Sequence, residues 1–395
     1  MSNLPYIFKK NYMIYLFLIA SLYLSILLPI ISGLGRLVHP TLSFFILLIV
    51  QGFIFILPLI VLTLIKLNTV RGLLIISLFI YLVIIQITVE YFDLRDFLFG
   101  VKNIFGSLLY IPIVYHLIVN YEQFSFKIEK HIRYIFIITL SILYFELISA
   151  RISNPLHSFF MLLAENKELL GGRPLGIMLN IHYQGIILGM AAIYYFINKK
   201  NILVILIVLG LVLSNIKTWT IALLFVIVYY SLKNMYRLNI KYFLIIVFGI
   251  LVFMAALLTF FSGVVDHYIG NLSASSSSIN LMKSLWFSVF DVALNTFFPV
   301  GFFSQSDVSL QYSDLMNYSD AFFVFNIFQV GIVGMIIYLF IMYHTLFRKN
   351  KYSYIVLLSL FSIIHTNPLL IPGILIIVVY FGYYYILEDK TIGKI

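Results

Sequence analysis

Apolar stretches close to the length that spans a bilayer recur from about residue 12 to about residue 387 of this 395-residue chain, and no other feature constrains its fold as strongly. A helix needs about 20 mostly apolar residues to cross hydrocarbon, and the sequence supplies about twelve such runs. They lie at roughly 12 to 31, 42 to 65, 73 to 90, 97 to 119, 132 to 150, 175 to 197, 201 to 216, 218 to 232, 241 to 261, 322 to 346, 352 to 366 and 369 to 387. Residues 202 to 213 are apolar throughout, whereas a membrane-spanning strand alternates in polarity over about ten residues. The runs therefore predict an all-α, polytopic membrane protein forming one integral domain. A composition of 63% hydrophobic and 10% charged residues leaves too little polar surface to cover a soluble globule. A cleaved leader would give one apolar stretch near the start, not a series of them. The absence of cysteine excludes disulfides, thiolate metal sites and a cysteine nucleophile.

Basic residues set the expected orientation, because Lys and Arg are retained on the cytosolic side. With the N-terminus inside, the cytosolic connections hold Lys9 and Lys10, Lys66 and Arg71, Lys127, Lys130 and Arg133, Lys199 and Lys200, Lys233, Arg237 and Lys241, Arg348, Lys349 and Lys351, and Lys390 and Lys394. Against these stand only Glu122, Glu129, Glu388 and Asp389. Every such connection is basic, so both termini are expected in the cytosol. The net charge of +10 is scattered in short clusters between apolar runs, which is the pattern of membrane orientation and not of nucleic-acid binding.

Two connections on the other side are long, residues 151–174 and 262–321. The larger contains the low-complexity run SASSSS, Ser273 to Ser278, followed by a segment at 280–298 in which Lys283 and Asp291 interrupt the apolar pattern. That segment reads as an amphipathic helix at the outer interface. Long connections of this kind are more often functional than accidental. No internal repeat is evident, unlike the inverted repeats of many secondary transporters.

Ionisable groups at membrane depth are costly unless paired or hydrated, so each is a functional candidate. They gather toward the outer side: Arg151 and His157 precede the sixth run, Arg173 opens it, and His182 with Gln184 is expected about two turns inside. Lys217 starts the eighth run, Lys283 lies on the interfacial segment, Asp320 precedes the tenth run, and His365 sits near the outer end of the eleventh. Cations converging near a bilayer surface favour an anionic ligand such as a lipid-linked phosphate or diphosphate. Each residue has a structural reading beside the functional one. Lys217 and Arg173 also suit snorkelling at helix ends, His182 and His365 suit buried hydrogen-bonded histidines, and Asp320 suits a helix cap. The cluster Glu90, Asp93, Arg95 and Asp96 reads as a solvated loop. No Walker loop, HExxH or nucleophile elbow occurs. No dense carboxylate set or DxD-like pair marks a metal site, so metal and cofactor are both expected to be absent.

Three segments resemble the O-antigen polymerase and ligase superfamily, the Wzy-type and related membrane proteins of bacterial polysaccharide assembly. GGRPLGIMLNIHYQGIILGMAAIYY is similar to its Arg-x-x-Gly motif at the outer start of a span, through Arg173, Gly176, Asn180 and His182. LSNIKTWTIALL is similar to its Ser-x-x-Arg-Thr motif, with Ser214 and Thr218 kept and Lys217 in the Arg position. The stretch KSLWFSVFDVALNTFFPVGFFS, with NYSDAFFVFNIFQVGIVGMIIYLF after it, resembles the large extracytoplasmic loop and next span. Pro299, Gly301, Asp320, Gly331 and Gly334 fit there, and Lys283 again replaces Arg. The resemblance covers roughly residues 150 to 370.

The resemblance implies a GT-C-like arrangement of helices in a bacterial cytoplasmic membrane, with the active face extracytoplasmic. It implies a metal-independent glycosyltransferase that moves an oligosaccharide repeat unit en bloc from undecaprenyl diphosphate to the non-reducing end of another lipid-linked unit. The product would be O-antigen, capsule or exopolysaccharide. Arg173, Lys217, Arg151 and Lys283 are then the candidates for holding the diphosphate, and His365, Asp320 and His182 for proton transfer. Lys grips a diphosphate as a point charge where Arg grips it bidentately, which weakens the clamp without changing its sign. Membrane lipid and a polysaccharide chain-length regulator are the further partners that such a role admits. A flippase or transporter of lipid-linked oligosaccharide, and a ligase of the same superfamily, stay open as alternatives.

Overall fold

A computed structural model describes residues 4–65, 69–88, 106–151, 179–214, 216–236, 322–346, 350–362 and 371–392. The described elements are all helical: α1 (Leu4–Val38), α2 (Pro40–Leu64), α3 (Thr69–Thr88), a 3₁₀ turn (Ser107–Leu109) leading into α4 (Tyr110–Asn120), α5 (Glu122–Arg151), α6 (Ile181–Ile197) and α7 (Asn201–Leu213). They continue with α8 (Lys217–Tyr236), α9 (Phe322–Leu346), α10 (Ser353–Ser362), α11 (Pro372–Gly382) and α12 (Tyr384–Ile392). Among the described residues four helical stretches are long and apolar enough to cross a membrane: Lys10–Val38, Phe44–Leu64, Glu122–Ile148 and Pro372–Asp389. Shorter apolar stretches occupy Ile75–Ile84, Ser107–Asn120, Asn201–Leu213 and Gly331–Tyr343.

The burial pattern explains why the sequence shows long apolar runs and little amphipathic periodicity. One contiguous core gathers Leu18, Leu22 and Ile26 of α1, Val114 of α4, Ile135 and Leu143 of α5, and nearly all of α11. On the opposite faces Phe44, Phe45 and Ile49 of α2, and Ile202, Ile205 and Leu209 of α7, are exposed. Large apolar side chains turned outward over whole helices have no favourable contact with water and suit contact with lipid tails.

Polar contacts fix which helix ends lie together. The Asn11 amide of α1 donates to the Tyr121 hydroxyl at the start of α5, and Asn11 Oδ1 lies 3.3 Å from His116 Nε2 near the end of α4. Tyr194 near the end of α6 reaches Glu129 near the start of α5, and Asn198 just past α6 reaches Tyr352 just before α10. Asn350 Nδ2 donates to the carbonyls of Phe381 and Gly382 at the end of α11, at 3.2 and 3.3 Å. By these contacts α5 and α6 run in opposite directions, as do α10 and α11, and the connections at 120–122, 198–200 and 350–352 meet at one end of the bundle, here the proximal end. The distal end holds the last residue of α5, the first turns of α6 and α8, the end of α7 and the start of α11.

Close approach at the helix crossings rests on small residues. A methyl group added at Gly373 of α11 would stand 2.9 Å from the Leu22 carbonyl oxygen of α1, and one at Gly210 of α7 would stand 2.8 Å from Leu143 of α5. Gly331 interrupts α9 with φ 69 and ψ 174, a conformation open to glycine alone, so α9 is two helical segments across a kink. The segments 89–105, 152–178, 237–321 and 363–370 lie outside the described residues. With them go the run at 241–261, both long connections, the amphipathic segment 280–298 and the charge cluster at Glu90 to Asp96.

Candidate functional site

Of the residues singled out in the sequence, Arg173, Lys283, Asp320 and His365 lie outside the described residues, as do His157, Gly176, Pro299 and Gly301. Arg151, His182 and Lys217 are placed on their helices. Arg151 is the last residue of α5 and Lys217 the first of α8. A cation at a helix N-terminus opposes the helix dipole.

One expectation is corrected. His182 and Gln184 were expected about two turns inside a helix opened by Arg173, but α6 begins at Ile181, which puts both in its first turn. The cause is local. Asn180 is extended, and its Oδ1 accepts from the backbone N–H groups of His182 and Tyr183 at 2.9 and 3.3 Å, closing the helix N-terminus. Leu179 stands at φ 48, in the left-handed region that few non-glycine residues adopt, and turns the chain sharply into the cap. Asparagine ahead of an apolar run was a start signal available in the sequence.

The two segments that carry the first two motifs meet at the distal end. Trp219, in the first turn of α8, lays its indole on Gly185 of α6, where an added methyl group would overlap the ring and stand 3.0 Å from Ile216. Ser214 closes α7 and donates to the Gly210 carbonyl at 2.6 Å. Asn180, His182, Ser214 and Lys217 therefore belong to one small region where α6, α7 and α8 end or begin.

Two buried residues of this region matter beyond the reading given them in the sequence, and one of them, Glu146, was not singled out there. Glu146, a turn and a half before the end of α5, is fully buried. The signal for it was present, since it is the one acidic residue within the run 132 to 150. Gln184, named only in passing, is fully buried too, and neither its amide nitrogen nor its amide oxygen has a hydrogen-bond partner. The Trp219 Nε1–H is likewise buried without a partner.

The proximal end is built differently. The Glu129 carboxylate accepts from Tyr194 at 2.6 Å and from Tyr380 at 3.2 Å, so α5, α6 and α11 share one acid. His131 places its two ring nitrogens 3.1 Å from the hydroxyls of Tyr15 and Tyr23. The Lys351 ammonium stands 4.9 Å from the Tyr352 ring and 4.7 Å from the Tyr384 ring, a distance at which the ring faces attract the cation. These groups tie helices together. Among the described residues no three His, Asp or Glu side chains converge at metal-binding distance at either end. Compared with family models, curated proteins and solved structures, the chain matches none of them.

Proposed function

We propose that the chain is a multi-pass glycosyltransferase of a bacterial cytoplasmic membrane that polymerises lipid-linked oligosaccharide repeat units at the distal end of its helices. The observation that carries this reading is the meeting of the two motif-like segments, Asn180 to Gln184 and Ser214 to Trp219, through the indole of Trp219 on Gly185. Residues separated in sequence but matching one family's motifs have a reason to be adjacent if they serve one site. Further support comes from charge. The proximal end gathers basic connections at Lys127, Lys199 and Lys351, which supports a reading with that end in the cytosol, the motif segments on the extracytoplasmic face, about twelve spans and both termini inside.

In the proposed reaction the bond between the donor's anomeric carbon and the diphosphate oxygen breaks, and a bond from that carbon to a hydroxyl oxygen of the acceptor forms. Undecaprenyl diphosphate leaves with the electron pair, and the hydroxyl proton passes to a base. Arg173, Lys217, Arg151 and Lys283 supply positive charge where the diphosphate departs. His365, Asp320 and His182 are the candidates for the base. Arg151 and Lys217 stand at helix termini on the distal end, which suits contact with a headgroup at the membrane surface.

The test is polymer length in cells lacking the protein, complemented with wild type, Arg173→Ala, Lys217→Ala, His365→Ala or the proximal control Lys233→Ala at matched membrane levels. Single repeat units with Arg173→Ala, Lys217→Ala and His365→Ala and long polymer with Lys233→Ala are expected. Normal polymer from every variant would remove the proposed clamp. Single units stranded on the cytosolic side of deletion cells would favour a flippase instead.

A further inference from the structure

We infer that Glu146, Gln184 and Trp219 form a buried polar layer, about one turn below the distal helix ends, that binds hydroxyl groups of a saccharide. The inference deepens the proposed reading of this end as a saccharide-handling site and rests on it.

The three residues are brought level by helix register. Phe136 of α5 packs against Tyr194 and Tyr195 of α6, with ring centroids 6.0 and 6.4 Å apart. The two helices run in opposite directions from that contact. Glu146 lies ten residues further along α5 and Gln184 ten residues back from Tyr194, a rise of about 15 Å on each helix. Gln184 is also eleven residues from Tyr195, close to three full turns, so it shares the face that Tyr195 turns toward α5. A second contact gives the same level. Leu143 of α5 touches Gly210 of α7, which runs parallel to it, and three residues on, Glu146 stands level with Leu213 and Ser214. Trp219 joins from α8: the indole Cδ1 that lies on Gly185 is bonded to Nε1, so the unpartnered N–H sits beside the backbone next to Gln184.

The chemistry of this set selects its ligand. Trp219 offers a donor, Gln184 offers both a donor and an acceptor, and Glu146 offers carboxyl oxygens. A phosphate only accepts, and it would be repelled by an ionised Glu146. A simple cation would leave two N–H donors facing it. A hydroxyl both donates and accepts, and several hydroxyls on one ring match several groups in one layer. An aromatic side chain among planar polar ones adds an apolar surface for the C–H face of a sugar. Burying an amide with neither atom bonded costs roughly 1–3 kcal/mol, a cost with a purpose if a ligand supplies the partners. Buried hydroxyls without partners occur elsewhere, at Ser107, Ser125, Thr139 and Tyr195, but each is a single group. Gln184 carries an unpartnered donor and an unpartnered acceptor on one side chain, and the unpartnered Trp219 N–H belongs to the ring packed on the next residue, Gly185.

The chain has two tryptophans, Trp219 and Trp286, so Trp286→Phe leaves Trp219 as the sole indole reporter. The full chain carrying Trp286→Phe, in lipid nanodiscs, is titrated with glucose, galactose, N-acetylglucosamine and inorganic phosphate while Trp219 emission is followed. A saturable change with at least one saccharide and none with phosphate is expected. In the Gln184→Leu and Glu146→Gln backgrounds the response should weaken by about tenfold or more, the loss of roughly one buried hydrogen bond. Gln184→Met, which keeps length and loses both polar atoms, carries the same expectation should Gln184→Leu fail to fold. Silence toward all three saccharides, a response to phosphate alone, or an undiminished response in the variants would overturn the inference and leave the layer as a place for buried water only. The outcome is separable from the polymer assay: a saccharide response with unchanged polymer in the deletion removes the polymerase reading and keeps the layer. Normal polymer dependence with a silent Trp219 does the reverse.

Discussion

The two ends of the helix bundle differ in how their largest buried polar side chains are met. At the proximal end the conspicuous ones are answered from within the protein: Glu129 by Tyr194 and Tyr380, and Asn350 by the backbone of α11 and of its own turn. At the distal end the Gln184 amide and the Trp219 indole N–H are buried and unanswered. Polar groups satisfied internally hold a structure together, because removing one strands its partner. Polar groups left unsatisfied destabilise the protein that carries them, and their retention points to a partner supplied from outside. Under the proposed function the contrast assigns stability to the proximal end and ligand binding to the distal end.

The largest effect that would break this contrast belongs to Asn350. Its Nδ2 serves the Phe381 and Gly382 carbonyls, and its Oδ1 accepts from Tyr352 N–H at 2.7 Å. Asn350→Ala removes three buried hydrogen bonds to the backbone, and a loss of about 3 kcal/mol is expected, read as a lower unfolding temperature of the purified protein in detergent. An unchanged unfolding temperature would deny the proximal network its structural role. A smaller effect is expected at the distal end from Gly185→Val, whose side chain would collide with the Trp219 indole. Overpacking of this kind costs about 2 kcal/mol, and because it displaces Trp219 it should also shift the emission of the single-tryptophan chain. A stability loss without that shift would mean that the α6–α8 contact is not where the indole sits.

The sequence made the architecture readable and the site only partly so, for a physical reason. Hydropathy reports how long a segment stays apolar, which is enough to predict helices such as those over Phe44–Leu64 and Pro372–Asp389. The basic residues at Lys127, Lys199 and Lys351 marked connections that the fold does bring to one end. Hydropathy does not report which face of a helix meets another helix. The burial of Gln184 depends on the opposed courses of α5 and α6, and that of Trp219 on a glycine in a different helix. The start of α6 was missed because hydropathy runs across Asn180 without a break, and the start signal that this residue carries is one of hydrogen bonding, not of apolarity. The cap puts His182 and Gln184 in the first turn of α6.

The most direct test of the contrast is Gln184→Leu, measured twice on the same membranes: unfolding temperature, and polymer length in cells lacking the native protein. Replacing an unpartnered buried amide by an apolar group of similar size should leave stability unchanged or raise it by up to about 1 kcal/mol, while long polymer is lost. A lower unfolding temperature together with normal polymer would contradict the account, since Gln184 would then be a structural residue and the distal end would not be the working end.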